Sequence, residues 1–586
     1  MQILKNTFKL LLAITASIYV SITLAGCSAG ANGLISITPE QYLLSAKEQF
    51  ETLEPREFEI RDLDEIIRIL ENAEKTAKKS ETIDASRMYL CLLHTMKADK
   101  QYKEAIMKGE YVANRPEPFY TIDTKEVKET LREAKKWLRS CNSTFKTKSL
   151  EDDLNYVKGM YYTQKMLTQQ SRERQESLDE AIISFRRCLG LTPAYKGEFK
   201  IFGVEQTERE VRLQFIKCLA IGGMAADAYG ILSEFNFAPI SPISGSIDRE
   251  DFAWHHIEGM VLGFMGMYQE SAKILDKYKI ISPLDYPMVD DAIWLLEGVN
   301  KKLLEETGDE RYTMEAKIAA ALLNKLDGPY SDTQYSDASL LFNRMMPGDL
   351  LYNKAVIKFY QGKFEEALEM LSKLDKKSVM TQSNRVSAKL YQIEAMLYSG
   401  QSITDDLIEE LLQLTDNKYL NVLQKEKLGY LLARYVMDYD AEFDNSRVNH
   451  EGQSYVRCIT GKPWALKIKY RRGELKRATK EIRRRSVKED EQNEEAEREP
   501  ATISAEMYAN RAEDWIVSVN MYLVSLPDMN ILTPTRVVGR EEDGQWNFKD
   551  EKIDEMRRRN KYLIIFEYDN SDSEKSIQGI IASEWK

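Results

Sequence analysis

Residues 362–371 read Gly-Lys-Phe-Glu-Glu-Ala-Leu-Glu-Met-Leu, and the spacing inside them, Gly362-x-Phe364-x-x-Ala367-x-x-x-Leu371, returns elsewhere in the chain. Gly266-x-Tyr268-x-x-Ser271-x-x-x-Leu275 is followed by Pro283, and Gly223-x-Ala225-x-x-Ala228-x-x-x-Leu232 repeats the glycine, the small residue and the large one. Leu178-x-x-Ala181-x-x-x-Phe185, followed by Pro193, is a further copy, and Tyr102-x-x-Ala105 starts another that fails at Gly109. Twelve residues before the small position stand Gly259, Ala355 and Ile216 in three copies. These spacings predict a helical hairpin. A small residue in the second helix lets the first approach closely, and the large residue one turn later fills the gap to the next unit. The glycine ends the first helix in a left-handed cap, and the proline stops the second. One such hairpin cannot bury its apolar face alone, so the units are expected to stack.

The pattern resembles the tetratricopeptide repeat, over roughly residues 85–440 and most closely in 351–374 and 252–283. The spacing departs from that family: Ala181, Ala228 and Ser271 are 47 and 43 residues apart, against ~34 for the standard unit. Gly159 precedes Ala181 by 22 residues rather than twelve, so that copy carries an insertion. Outside the copies the text is still helical. Thr38, Pro39 and Glu40 suit an N-cap, a first helical position and an acid in the first turn. Leu63, Ile66, Ile67, Leu70 and Ala73, and then Val127, Leu131, Ala134 and Leu138, recur at helical intervals. The expected fold is mostly α, a tetratricopeptide-like solenoid of helical hairpins over 38–445 followed by a small α+β module over 501–586.

The first 26 residues are of another kind. Lys5 and Lys9 precede an uncharged, mostly apolar run from Leu10 to Leu24, and Leu24-Ala25-Gly26-Cys27 closes it. A basic start, a short apolar run and a small-residue cleavage site make a secretory signal. Leu24-Ala25-Gly26-Cys27 resembles the lipobox of bacterial lipoproteins. That resemblance implies acylation of Cys27, cleavage before it, a tether over 27–37 and anchoring in a membrane. With Ser28 next, it implies the outer membrane of the cell envelope, on the periplasmic face. Removal of 1–26 takes away two lysines and no acid, which moves the net charge from −12 to −14. An acidic exported chain is a poor partner for nucleic acid.

Between Tyr439 and Trp464 the helical periodicity is lost, and 446–500 reads as an irregular segment and a charged helix or linker. Residues 467–488 hold eleven Lys or Arg against Glu474 and Glu481, and 489–499 hold seven acids against Arg498. Such a run is a solvated helix or tether, and Arg483, Arg484 and Arg485 are its candidate contacts to anionic lipid headgroups. Beyond Pro500, strands are expected at 515–523, 562–568 and 577–582, with a fourth over 535–538 and a short helix over 550–559.

Candidate chemistry is sparse. The chain has four histidines, His94, His255, His256 and His450, and His255 with Glu258 could share one helical face toward a metal; no second ligand pair accompanies them. Gly259, Gly263 and Gly266 fall within a repeat helix, where close helix contact explains them better than phosphate. Cys91, Cys188 and Cys218 sit on apolar helical faces and are expected to be buried. No nucleophile elbow, P-loop or dinucleotide fingerprint is present. The expectation is therefore a non-enzymatic, cofactor-free lipoprotein that acts as a scaffold for envelope proteins. A glycan- or nutrient-capturing lipoprotein of an outer-membrane importer is the alternative, and an enzyme seated in the C-terminal module the weakest of the three.

Overall fold

The computed structural model describes residues 38–52, 60–107, 112–114, 119–121, 124–144, 147, 150–169, 171–189, 199–201, 204–206, 208–233, 249–282, 286, 288–323, 338–342, 346–374, 377–401, 404–417, 420–439, 464–471, 502–508, 516–526, 530–531, 537–542, 545–549, 553, 561–570 and 579–585. Among them are seventeen α-helices, with antiparallel sheet gathered toward the C-terminus. The chain forms two compact units. The first comprises its residues up to Glu104 together with Thr124–Val157 and Lys200–Gln206, and the second comprises the remainder.

The first unit holds α1 (Pro39–Thr52), α2 (Ile60–Thr76), most of α3 (Ser80–Met107), α4 (Lys125–Thr144) and the start of α5 (Glu151–Leu167). Thr38 opens α1 with a reciprocal capping box: Gln41 N–H donates to Thr38 Oγ1 at 3.3 Å, and Thr38 N–H to Gln41 Oε1 at 2.8 Å. Leu63, Ile66, Ile67, Leu70 and Ala73 of α2 are all buried, as are Val127, Leu131, Ala134 and Leu138 of α4. The 3.6-residue period alone fixes those faces. Lys97 on α3 reaches Asp64 on α2 at 2.6 Å, and Arg87 reaches Glu74 at 2.8 Å.

In the second unit the hairpins follow one another: α6 (Ser171–Leu189), α7 (Glu208–Ile221) with α8 (Ala225–Ser233), and α9 (Arg249–Phe264) with α10 (Tyr268–Leu275). Then come α11 (Val289–Thr307) with α12 (Arg311–Leu323), α13 (Pro347–Tyr360) with α14 (Phe364–Ser372), α15 (Gln382–Tyr398) with α16 (Asp405–Leu414), and α17 (Val422–Tyr439). Gly223, Gly266 and Gly362 adopt φ of 88°, 76° and 74°, the left-handed caps their positions predict. Each is followed by an N–H that reaches back five residues, Met224 to Leu219 O, Met267 to Leu262 O and Lys363 to Lys358 O, all within 2.8–3.0 Å. This is the Schellman closure of a helix end. Gly400, at φ 76°, ends α15 in the same way through Gln401 N–H and Met396 O.

The interlock inside the hairpins is equally direct. Ala181, Ala228, Ser271 and Ala367 are fully buried. Ser271 Oγ donates to Gly259 O at 2.6 Å, across the twelve-residue spacing, and a Cβ on Gly259 would stand 2.7 Å from the Leu275 side chain. A Cβ on Gly159 would likewise stand 2.8 Å from the Phe185 ring. The ten extra residues of this copy are taken up within its two helices, about three in a longer end of α5 and about seven in a longer start of α6. The hairpins are not an open row, however. α8 packs on α13, where Gly230 lies against the Tyr360 ring, and Val422 N–H at the start of α17 donates to Asp179 Oδ1 on α6 at 3.0 Å.

The sheets at the C-terminal end are antiparallel. β5 (Trp464–Arg471), β6 (Thr502–Tyr508), β11 (Gln545–Lys549) and β10 (Arg540–Glu542) form one. β13 (Gly579–Trp585), β12 (Lys561–Asn570), β7 (Ile516–Leu526) and β8 (Asn530–Ile531) form the second, with β9 (Val537–Val538) paired to β7. In the β7–β12 register Leu523 faces Ile564 and Ser525 faces Tyr562. Two expectations change here. The start of the basic run, Lys467–Arg471, is strand paired with β6 rather than helix. Strand also occurs inside the 38–445 span expected to be helical, in the short hairpins β1 (Val112–Asn114) with β2 (Phe119–Thr121) and β3 (Phe199–Ile201) with β4 (Val204–Gln206). Of the helix expected over 550–559 only Ile553 is described, and it is buried. The second sheet is packed on the helices: Val524, Leu526, Leu563 and Ile565 share one apolar core with Leu390 and Ile393 of α15, Leu411 of α16, and Leu428, Leu431 and Leu432 of α17. It covers the apolar face that these last helices would otherwise leave open.

Candidate functional site

Four helices begin at one place in the second unit. The turn into α8 (Gly223–Asp227), the first turns of α13 (Met346, Asp349, Asn353), the start of α15 (Thr381, Asn384) and the residue ahead of α17 (Asn421) line a single cavity of about 70 Å³. Each helix start carries roughly half a positive charge on its free N–H groups, and the local chemistry answers that charge. Asp349 Oδ1 accepts from Thr381 N–H at 3.0 Å, Thr381 Oγ1 at 3.2 Å and Asn384 Nδ2 at 3.0 Å, so a carboxylate of α13 caps α15. Asn421 caps α17 reciprocally with Gln424: Gln424 N–H donates to Asn421 Oδ1 at 2.8 Å, and Asn421 N–H to Gln424 Oε1 at 3.1 Å. Gln424 Nε2 then donates to Ser387 Oγ at 2.9 Å, which ties α17 to α15. Asn353 Nδ2 donates to Met265 O at 3.0 Å and joins α13 to the end of α9.

Behind the cavity lies a chain of buried ionisable groups. Tyr360 donates to Tyr391 at 2.5 Å, and Tyr391 donates to Asp227 Oδ1 at 3.2 Å. Lys427 sits 3.0 Å from the centre of the Tyr391 ring and 2.5 Å from Glu394, with both members of the ion pair at most 3% exposed. Burial pushes the Asp227 carboxyl up to about 6, against the pull of Lys427 and the Tyr391 hydroxyl. The Tyr352, Tyr360 and Tyr391 phenols are raised well above their ordinary range for the same reason, so all three are neutral donors. Asp179, bonded to Val422 N–H and Gln175, is also pushed up to about 6 by burial.

Of the residues singled out in the sequence, Gly223 and Ala225 line this cavity. Gly159, Ala181, Phe185, Ala228, Gly259, Gly266, Tyr268, Ser271, Gly362 and Ala367 form the caps and interlocks of the hairpins, and Phe364 stacks on Tyr398 with ring centres 4.8 Å apart. Gly263 is a close-contact position, where a Cβ would meet the Phe342 ring at 2.5 Å. Cys27, Pro193, Pro283, Arg483, Arg484 and Arg485 lie outside the described residues. His255 Nδ1 pairs with Glu258 Oε2 at 3.1 Å, as their spacing suggests, while His256 Nδ1 meets the Tyr286 hydroxyl at 3.0 Å. Among the described residues no group of three His, Cys, Asp or Glu is placed to hold a metal. Cys91, Cys188 and Cys218 are buried thiols, as is Cys141. The burial of Cys218 pushes its thiol up to about 12, which makes it inert as a nucleophile near neutrality.

Sequence reasoning missed Asp227, Asp349, Asn353, Asn384, Ser387 and Asn421. Their local signals were present, since Asn421-x-x-Gln424 and Thr381-x-x-Asn384 are capping spacings. That four helix starts meet is a fact of tertiary packing. Among the described residues no helix is long and apolar enough to cross a membrane. Compared with known proteins, the chain matches no family model, no curated protein and no solved structure.

Proposed function

We propose that the chain is an exported lipoprotein, held at a membrane through acylated Cys27, whose tetratricopeptide-like hairpins serve as a scaffold for protein partners in the cell envelope. The observation that carries this reading is the recurrent closure of the hairpins. The same Schellman cap and small-residue contact, repeated in α7–α8, α9–α10 and α13–α14, build a framework whose purpose is surface rather than chemistry. A contact surface has a candidate position. Ile280, Met314 and Ile318 are large apolar side chains, exposed by 69%, 60% and 40%, and a Lys279–Glu315 ion pair joins the turn that carries Ile280 to α12. Apolar groups rimmed by charge suit a partner surface.

Crosslinking in intact cells followed by mass spectrometry tests the reading. The expected result is a reproducible envelope partner whose crosslinks fall several-fold in a Met314→Glu, Ile318→Glu protein that still folds. The anchor has its own test. A Cys27→Ser protein is expected to lose incorporated fatty acid and to leave the membrane fraction or remain uncleaved. Fully cleaved Cys27→Ser protein that still sediments with membranes refutes the anchor.

A further inference from the structure

The cavity at the four helix starts has more hydrogen-bonding capacity than the protein uses. Its floor is built from Asp227, Asp349, Asn353 and Asn421, each at least nine-tenths buried, and its rim from partly exposed Phe264 and Met346. Each floor side chain spends one polar atom on the protein: Asp227 Oδ1 on Tyr391, Asp349 Oδ1 on the start of α15, Asn353 Nδ2 on Met265 and Asn421 Oδ1 on Gln424. Among the described residues no partner reaches Asp227 Oδ2, Asp349 Oδ2, Asn353 Oδ1 or Asn421 Nδ2. None of these four atoms is sealed from solvent without a partner, so it is water or another polar molecule in the cavity that completes their hydrogen bonds. Three acceptors and a donor therefore stand ready for something that enters.

Charge and size narrow what that is. Four helix starts contribute roughly +2 and two carboxylates roughly −2, so the cavity is close to electrically balanced. The adjoining Lys427–Glu394 pair adds nothing to the sum. A charged ligand would upset this balance in a buried site at a cost of several kcal/mol. A neutral ligand that both donates and accepts would not, and hydroxyl groups do both: they donate to the free carboxylate and amide oxygens and accept from Asn421 Nδ2. A volume of about 70 Å³ exceeds one water, ~30 Å³, but falls short of the ~300 Å³ of a drug-sized pocket. It takes the edge of one small ring, and the Phe264 ring at the rim offers an apolar face for the rest. We propose that this cavity binds an uncharged polyhydroxylated molecule, a monosaccharide unit or cyclic polyol, through Asp227, Asp349, Asn353 and Asn421, with Phe264 against its ring face.

Titration calorimetry of the full-length protein in detergent tests this, with D-glucose, D-mannose, N-acetyl-D-glucosamine and myo-inositol as neutral probes and ethanolamine and acetate as charged ones. At least one neutral probe is expected to bind saturably, and neither charged probe to compete with it. Asn353→Leu should weaken that binding by about tenfold, the value of one hydrogen bond of ~1.4 kcal/mol. Phe264→Leu, a milder change at the rim, should weaken it several-fold with the unfolding midpoint unchanged. The proposal is overturned by absence of heat from all four neutral probes, by preference for a charged probe, or by equal affinity in wild type and Phe264→Leu. A crystal grown with the best probe that shows only ordered water in the cavity also overturns it.

Discussion

The α9–α10 hairpin and the wall where α8, α13, α15 and α17 meet are made of similar helices, yet they are held by opposite means. In the hairpin, Gly259 lies against the Leu275 side chain and a single hydroxyl–carbonyl bond from Ser271 locks the contact. At the wall, Asp349, Asn353, Asn384, Gln424 and the buried Lys427–Glu394 pair bind helix to helix through polar groups. Apolar contact tolerates small shifts, since its energy varies with area. Polar contact fixes direction and leaves a severe penalty when one partner is removed. The hairpins supply general stability, and the wall sets how separate hairpins face one another.

The most damaging single change should therefore be at the wall. Lys427→Met leaves Glu394 charged and buried without its counter-ion, and a loss of about 4 kcal/mol in unfolding free energy is expected. Lys427→Met with Glu394→Leu should recover most of it, because the ion pair as a whole offsets its own desolvation rather than adding much. Denaturant unfolding of both proteins decides the matter: equal losses would make the pair a true net source of stability. In the hairpin, Leu275→Ala should cost about 3 kcal/mol through the cavity it leaves. Gly259→Ala overpacks the same contact and should cost about 1–2 kcal/mol alone but far less in the Leu275→Ala background, since the added Cβ then has room. Additive losses would mean that the two residues do not share one contact.

This contrast also explains what could be seen in the sequence. The hairpins were legible because their determinants are local: a glycine, a small residue five positions on, and a large one four beyond that. Two hairpins escaped. Gly308 ends α11 with φ 67°, but no small residue follows at the expected position, where Thr313 stands; Gly400 is separated from α16 by a longer turn. The wall was illegible for a different reason. Asp227 and Tyr391 are 164 residues apart, Asn353 and Met265 are 88, and no periodicity connects them. The sheet that packs on α15–α17 was visible as strands, but nothing in an alternating apolar run tells which helices it will cover.

Asp227 gives the wall a dependence on pH that the hairpin contact lacks. Its carboxyl is raised to about 6 from an unfolded value of ~3.9, so the folded protein holds that proton more tightly. The resulting stability is fully present below about pH 4 and is lost as pH rises through 6. Asp179 contributes in the same direction. Asp227→Asn should flatten about half of that fall and raise stability near pH 7 by about 2 kcal/mol. Unfolding measured from pH 4 to 8 reads it out, and an unchanged slope would show that Asp227 titrates normally in the folded protein.

The smallest expected effect is at Ser271. It occupies the position held by Ala181, Ala228 and Ala367 in the other copies, so alanine fits there without strain. Its hydroxyl adds one bond to a helix carbonyl, Gly259 O, that a backbone N–H four residues on can also satisfy. Loss of that bond leaves no orphan, and Ser271→Ala should cost at most about 1 kcal/mol. A cost of 2 kcal/mol or more would mean that the hydroxyl, and not the close approach of the two helices, holds α9 to α10. The hairpin would then belong with the wall, built on direction rather than on area.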